Sequence, residues 1–187
     1  IRILIVDDHP IFREGIRTVI EREEGLTVKA EAGSAAEAMK LLEAHRFNLV
    51  LSDVTLGGKS GLELVRDIMP LYPDLPVLML SMHDETIYAE RALRAGALGF
   101  VMKQAGSKLL IESIHRVMAG RVAVSPEMAE RMLTAAAGRR SDEEKNPVSQ
   151  LTDREFEVFQ LFGEGLDGQR IADRLSLSVK TVDVHRA

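Results

Sequence analysis

Residues 49–55 read Leu49-Val50-Leu51-Ser52-Asp53-Val54-Thr55, a short apolar run that ends on an acid. An ionised carboxylate directly terminating a buried strand is costly unless it is paired or metal-bound, so Asp53 asks for a partner. Three other runs in the first half of the chain end in a similar way. Ile3-Leu4-Ile5-Val6 ends on Asp7-Asp8, Val77-Leu78-Met79-Leu80 on Ser81, and Phe100-Val101-Met102 on Lys103. Short Val/Ile/Leu runs separated by helical stretches read as strands of a parallel sheet, and such sheets bind ligands at their carboxyl edge. The four polar endings should therefore meet there. Three carboxylates, a hydroxyl and an ammonium in one crevice suit a divalent cation and a phosphoryl group.

Between these runs the apolar period changes to that of helices. Pro10 opens a helix through Ile16, Val19 and Ile20, and a weaker strand follows at Leu26-Thr27-Val28. Ser34, with Glu37 three residues on, has the spacing of a capping box before a helix through Ala38, Leu41 and Leu42. A third helix, burying Leu62, Leu64, Val65 and Ile68, is expected to stop near Met69-Pro70, since proline cannot continue a helix. A fourth runs from about Glu85 to Ala95 and is closed by Gly96; a fifth, from Ser107 to about Ala119, buries Leu110, Ile111, Ile114 and Val117. This alternation predicts a doubly wound α/β domain with a five-stranded parallel sheet over residues 1–120.

After Gly120 the character changes. Residues 121–150 read as a linker holding a short helix, begun by Ser125-Pro126-Glu127 and followed by a polar, aperiodic stretch over 138–150. Residues 151–187 form a small all-α unit. Thr152 and Glu155 make a capping box, Val158, Leu161 and Phe162 an apolar stripe, and a helix from Gly168 to Leu175 is joined through Ser176-Leu177-Ser178 to another starting near Val179. Two short helices on a tight turn are a helix-turn-helix. The 187 residues are 45% apolar, enough for packed cores, and the net charge of -5 gives no general prior for nucleic acid. Cysteine is absent, which excludes disulfides and thiolate metal sites and fits a reducing compartment. No apolar run nears the ~20 residues of a membrane span, and no signal peptide is visible. The chain opens at Ile1 inside a strand and stops at Ala187 inside a helical pattern, so both ends are expected to continue and the small domain to be incomplete at its C-terminus.

With both sets of motifs in order, the chain resembles the NarL/FixJ-type bacterial response regulators, in which a receiver domain precedes a LuxR-type helix-turn-helix domain. Receivers place two acids after the first strand, a phosphoacceptor aspartate at the end of the third, a Ser/Thr at the end of the fourth and a lysine at the end of the fifth. Asp7-Asp8, Asp53, Ser81 and Lys103 match in order. The effector pattern L-T-x-R-E-x-E-V, then G, then I-A-x-x-L-x-x-S-x-x-T-V-x-x-H is met by Leu151-Thr152-Asp153-Arg154-Glu155-Phe156-Glu157-Val158, Gly165, Ile171-Ala172, Leu175, Ser178, Thr181-Val182 and His185. The resemblance implies a cytoplasmic two-component regulator that takes a phosphoryl group on Asp53 from a sensor histidine kinase, uses Mg²⁺, binds promoter DNA and dimerises when phosphorylated. It implies no enzymatic turnover beyond self-phosphorylation and slow autodephosphorylation.

Residue roles follow from the same resemblance. Asp8 and Asp53 would be direct Mg²⁺ ligands, with Asp7 acting mainly through water and the Thr55 carbonyl completing the protein share. Lys103 and Ser81 would meet phosphoryl oxygens, and Phe100 would fill the space left when Ser81 moves. The chemistry is sound on its own terms: like charges ~4 Å apart repel by ~4 kcal/mol at an effective dielectric of 20, which a hard divalent cation relieves. In the small domain the last helix would enter the major groove, with Lys180 and Thr181 near the DNA backbone, Val184 toward bases and Arg186 on a phosphate. Two features depart from the family. From Leu151 onward five Lys/Arg face seven Asp/Glu, with Asp183 where relatives often carry lysine, and Gly57-Gly58 stands where proline is usual after the phosphoacceptor.

Two other classes share parts of this pattern. A Mg²⁺-dependent phosphatase or mutase with an aspartyl nucleophile would need a second Asp two positions beyond Asp53, where Thr55 stands. A flavodoxin-like cofactor binder would share the fold, but 4% aromatic residues leave little to stack on a flavin.

Overall fold

Each apolar run forms a strand because its branched side chains fit a pleat that is covered on both faces. In a computed structural model, which describes residues 1–57, 59–82, 84–137, 151–175 and 177–186, these are β1 (Arg2–Val6), β2 (Thr27–Ala32), β3 (Leu49–Asp53), β4 (Val77–Ser81) and β5 (Gly99–Met102). All pair in parallel, in the order β2-β1-β3-β4-β5. The chain steps outward from β1 to β2 and returns to β3 on the other side of β1. Strand order therefore reverses between β1 and β3, where open α/β sheets form their ligand crevice. Val6 pairs with Ser52, which brings the ends of β1 and β3 together at that point.

The helices are α1 (Pro10–Ile20), α2 (Ala35–Ala44), α3 (Gly61–Leu71), α4 (Glu85–Ala95) and α5 (Gly106–Met118). On one face of the sheet, Ile3, Ile5, Leu49, Leu51, Leu78, Leu80 and Val101 pack with Ile16, Ile20, Leu110, Ile114 and Val117. This is the doubly wound domain that the alternating pattern predicts.

Two elements differ from their expected bounds. β2 runs on to Ala32 because it is an edge strand, and its polar Lys29 and Glu31 hide it from an apolar-run reading. A register shift lets Ile3 and Leu4 pair with Val28 and Ala30, passing over Lys29. The helix α3 continues through Pro70 to Leu71. Proline here sits in the last turn, where its missing N–H removes a single rung, and the Tyr72 N–H still donates to the Ile68 carbonyl at 2.8 Å.

The chain divides into two compact units, Ile1–Met128 and Ala129–Ala187. The first extends past α5 because Ala123 bridges Gly99 in parallel; the Phe100 N–H donates to the Ala123 carbonyl at 2.7 Å, and the Ala123 N–H to that of Leu98 at 3.1 Å. Ser125 caps α6 (Pro126–Ala136), its Oγ accepting from the Met128 N–H at 3.1 Å. The aperiodic stretch 138–150 lies outside the described residues. In the second unit, α7 (Asp153–Gly163), α8 (Gly168–Leu175) and α9 (Val179–Arg186) bury Val158, Leu161, Ile171, Ala172, Leu175 and Val182. Thr152 and Glu155 form the reciprocal capping box, and Arg154 joins Glu157 at 2.7 Å to the Leu175 carbonyl at 2.9 Å, satisfying an end of α8. No helix among the described residues is long and apolar enough to cross a membrane.

Gly96 closes α4 in the left-handed region at φ +111°, and a Cβ there would stand 2.5 Å from Met69 Cγ on α3. Gly96→Ala should therefore lower stability by ~3 kcal/mol, the strained backbone adding to overpacking. Gly25, at φ +84° with open space around it, should lose only ~1 kcal/mol as alanine. Urea unfolding measures both; equal midpoints for the two variants would contradict the contact with Met69.

Candidate functional site

Three strand ends converge on one ammonium group. Asp7 follows β1, Asp53 ends β3 and Lys103 follows β5; Lys103 Nζ donates to Asp7 Oδ2 and to Asp53 Oδ2, each at 2.6 Å. The three side chains are 4% (Lys103), 1% (Asp7) and 6% (Asp53) exposed, so the charges interact with little water between them. The Lys103 N–H donates to the Ser81 carbonyl at 2.7 Å, which fixes where its side chain begins. At the far end Nζ lies 4.1 Å from the centre of the Phe12 ring, a cation–π contact from α1.

Burial is the main reason the Asp53 carboxyl is pushed up from 3.8 to about 6. The Lys103 charge and hydrogen bond oppose it, Asp7 adds to it, and a hydrogen bond from the Thr55 backbone N–H works with Lys103. Asp7 Oδ1 accepts from the His9 N–H at 2.8 Å. Asp8 is partly exposed; its Oδ1 is buried and accepts no hydrogen bond, although His9 Nδ1 stands 2.8 Å away and would carry charge only if protonated. One ligand atom from each of Asp7, Asp8, His9 and Asp53 lies within 4.8 Å of the others, a cluster able to hold a metal ion. When ionised, its three carboxylates exceed the single ammonium by two charges, and a divalent cation would balance them.

Behind the cluster the backbone leaves no slack. Gly61 opens α3, its N–H donating to the Val54 carbonyl at 2.8 Å, and a Cβ on it would fall 1.9 Å from the Asp53 carbonyl oxygen. Ser60 caps this helix in a full box with Glu63. The Ser34 cap is only half of one, because Glu37 accepts from the Gly33 N–H instead.

Asp7, Asp8, Asp53 and Lys103 thus come together as their positions at strand ends predict. Ser81 is buried at the end of β4, one residue beyond the Leu80 that pairs with Asp53. Thr55 is half-buried, with its N–H on Asp53. Phe100 is buried on β5 opposite Met79. In α9, Val182 points into the core while Lys180, Asp183 and Val184 are exposed, Val184 at 67%. Thr181 closes the helix start: Ser178 Oγ accepts its N–H at 3.0 Å and lies 2.7 Å from its Oγ1. Arg186 ends α9, and its side chain lies outside the described residues. His9, Phe12 and Gly61 are site residues that strand patterning does not reveal. For His9 the available signal was its place directly after two acids and before the proline that opens α1.

Comparison with known proteins gives two domain matches. The response regulator receiver domain covers residues 3–115, and the luxR family of bacterial regulatory proteins covers residues 149–187. The transcriptional regulatory protein DegU of Brevibacillus brevis is 31% identical over 99% of this chain and 84% of its own length. A LuxR-family two-component response regulator from Aurantimonas sp. SI85-9A1 shares 39% identity, with a TM-score of 0.67 over 73% of this chain and 97% of that one. RcsB, solved as two dimers bound to two parallel DNAs, is 26% identical with a TM-score of 0.64 over 99% of this chain and 87% of that one.

The raised Asp53 carboxyl has a sign that can be measured. Folding favours its protonated form, so this contribution to stability is fully present below the unfolded value near 4 and is lost as pH rises to about 6. In metal-free buffer at pH 7.5, Asp53→Asn should be more stable than wild type by on the order of 3 kcal/mol, the gap closing toward pH 4. Urea unfolding across pH tests this, and a gap that widens on acidification would contradict it.

Proposed function

The chain belongs to the response regulators that join a receiver domain to a LuxR-type DNA-binding domain, and we propose that Asp53 is its phosphoacceptor, charged by a sensor histidine kinase with Mg²⁺ bound at Asp7, Asp8, Asp53 and the Thr55 carbonyl. The observation that carries this reading is the Lys103 ammonium shared by two buried carboxylates at the strand-order switch point, with a third carboxylate beside them. The donor set fits Mg²⁺, which favours carboxylate oxygens and keeps several waters and phosphate oxygens around it. When bound, the ion supplies charge neutralisation for the phosphoryl oxygens.

The chain's own groups do the rest. Near neutral pH the Asp53 carboxyl, held near 6, is mostly ionised and available as a nucleophile. One of its oxygens bonds to phosphorus as the bond to the kinase's histidine nitrogen breaks, leaving an acyl phosphate and a free imidazole. Lys103 exchanges its contact with Asp53 for a phosphoryl oxygen while keeping Asp7, and the Ser81 hydroxyl donates to another oxygen. The movement of Ser81 toward the phosphoryl group draws in the start of α4 and gives Phe100 the vacated space. That surface is tied to the outgoing chain, since Glu85 at the start of α4 accepts from the Ser125 N–H at 2.8 Å, and Ala123 lies along β5.

The output is control of promoter DNA binding in the cytoplasm, with phosphorylation favouring a homodimer. The RcsB dimers on DNA support that arrangement. On α9, Lys180 and Thr181 meet the DNA backbone, Val184 meets bases and Arg186 a phosphate; an exposed valine such as Val184 gains from being covered in a groove. The family is one of transcriptional regulators, so the phosphatase or mutase alternative falls away.

Acetyl phosphate with Mg²⁺ should label the protein once, and Asp53→Asn should abolish the label. Lys103→Ala should slow labelling at least ~10²-fold, in the range for loss of one preorganised charge-stabilising donor. Labelling that persists in Asp53→Asn, or repeated turnover of a small phosphoester, would overturn the assignment.

A further inference from the structure

We propose that the His9 imidazole is a ligand of the cation site, giving this receiver a stronger preference for imidazole-binding transition metals over Mg²⁺ than a purely oxygen-lined site would have. The inference rests on the reading of the Asp7, Asp8 and Asp53 cluster as a cation site, and goes beyond it in naming a fourth donor of different chemistry.

The sequence presets this placement. Pro10 keeps the preceding residue out of the helical region, and His9 is extended at φ -98° and ψ 103°. The His9 N–H is fastened to Asp7 Oδ1 at 2.8 Å. Its ring is thereby turned back over the carboxylates, with Nδ1 2.8 Å from Asp8 Oδ1 and 3.3 Å from Asp7 Oδ1. Donors on neighbouring octahedral positions at ~2.1 Å from an ion stand ~3 Å apart, the spacing found here. Asp8 Oδ1, the nearest carboxylate oxygen, is buried and accepts no hydrogen bond, so Nδ1 at 2.8 Å is the polar atom that faces it.

The ring itself is 69% exposed, so it can turn the few tenths of an ångström that coordination asks without disturbing the core. Imidazole nitrogen binds Mn²⁺, Co²⁺ and Ni²⁺ with rising affinity, whereas Mg²⁺ prefers oxygen. The competing account makes His9 a simple hydrogen-bond donor to Asp8. It predicts equal effects of His9 removal on every divalent cation.

The test uses the full chain as wild type, His9→Ala and His9→Gln at pH 8. Calorimetry gives affinities for Mg²⁺, Mn²⁺ and Ni²⁺, and pulsed EPR of bound Mn²⁺ reports a coordinated nitrogen. The expected result is a nitrogen coupling in wild type that disappears in both variants, with the Ni²⁺-to-Mg²⁺ affinity ratio falling at least ten-fold. An unchanged ratio, or no nitrogen coupling in wild type, overturns the role of His9 while leaving Mg²⁺-dependent labelling of Asp53 as it stands. Failure of wild type to bind any of the three cations would overturn the cation site as well.

Discussion

One ammonium group held between two buried carboxylates organises this molecule. Lys103 reaches from beyond β5 to Asp7 beyond β1 and Asp53 at the end of β3, so strands distant in sequence must finish level with one another. Because side chains alternate along a strand, a slip of one residue would turn Asp53 to the other face and separate it from Lys103. A buried charge that loses its partner is among the costlier faults a fold can carry. The site therefore demands strict register, and the apolar strands behind it supply that register through shared burial.

This dependence explains which parts were legible in sequence. β1, β3, β4 and β5 are covered on both faces, so they appear as uninterrupted apolar runs, and their polar endings stand out. β2 lies at the edge, where Lys29 and Glu31 are tolerated, and its extent was hidden for that reason. Pro70 reads as a stop, yet the last turn of α3 can lose one donor and continue. Phe12 and His9 could not be found by periodicity because their roles depend on reach across space, from α1 to the Lys103 ammonium and from the α1 N-cap to Asp8. The Ser60–Glu63 box carries the same S-x-x-E spacing as the stretch at 34–37 and was open to the same reading.

The second unit shows a similar division between scaffold and surface. Val182 and Val184 lie two positions apart on α9, one sealed in the core with Ile171 and Leu175, the other facing water. The Arg154 side chain serves the scaffold, holding Glu157 and the end of α8 together, which removes one of the few cations of this acidic segment from its outer face. Charge counting alone therefore overstates how much positive surface the helix-turn-helix offers.

Finally, β5 is an outermost strand, and an outermost strand with bare amides invites pairing with a stranger. Ala123 shields it, so the first residues beyond α5 belong structurally to the sheet. Any rearrangement of genes that swapped this receiver onto a different output module by cutting at Gly120 would bare that rim and favour clumping. A crossover placed beyond Met128 would carry the shield along, which puts the natural seam for exchanging modules past that residue and not at the end of α5.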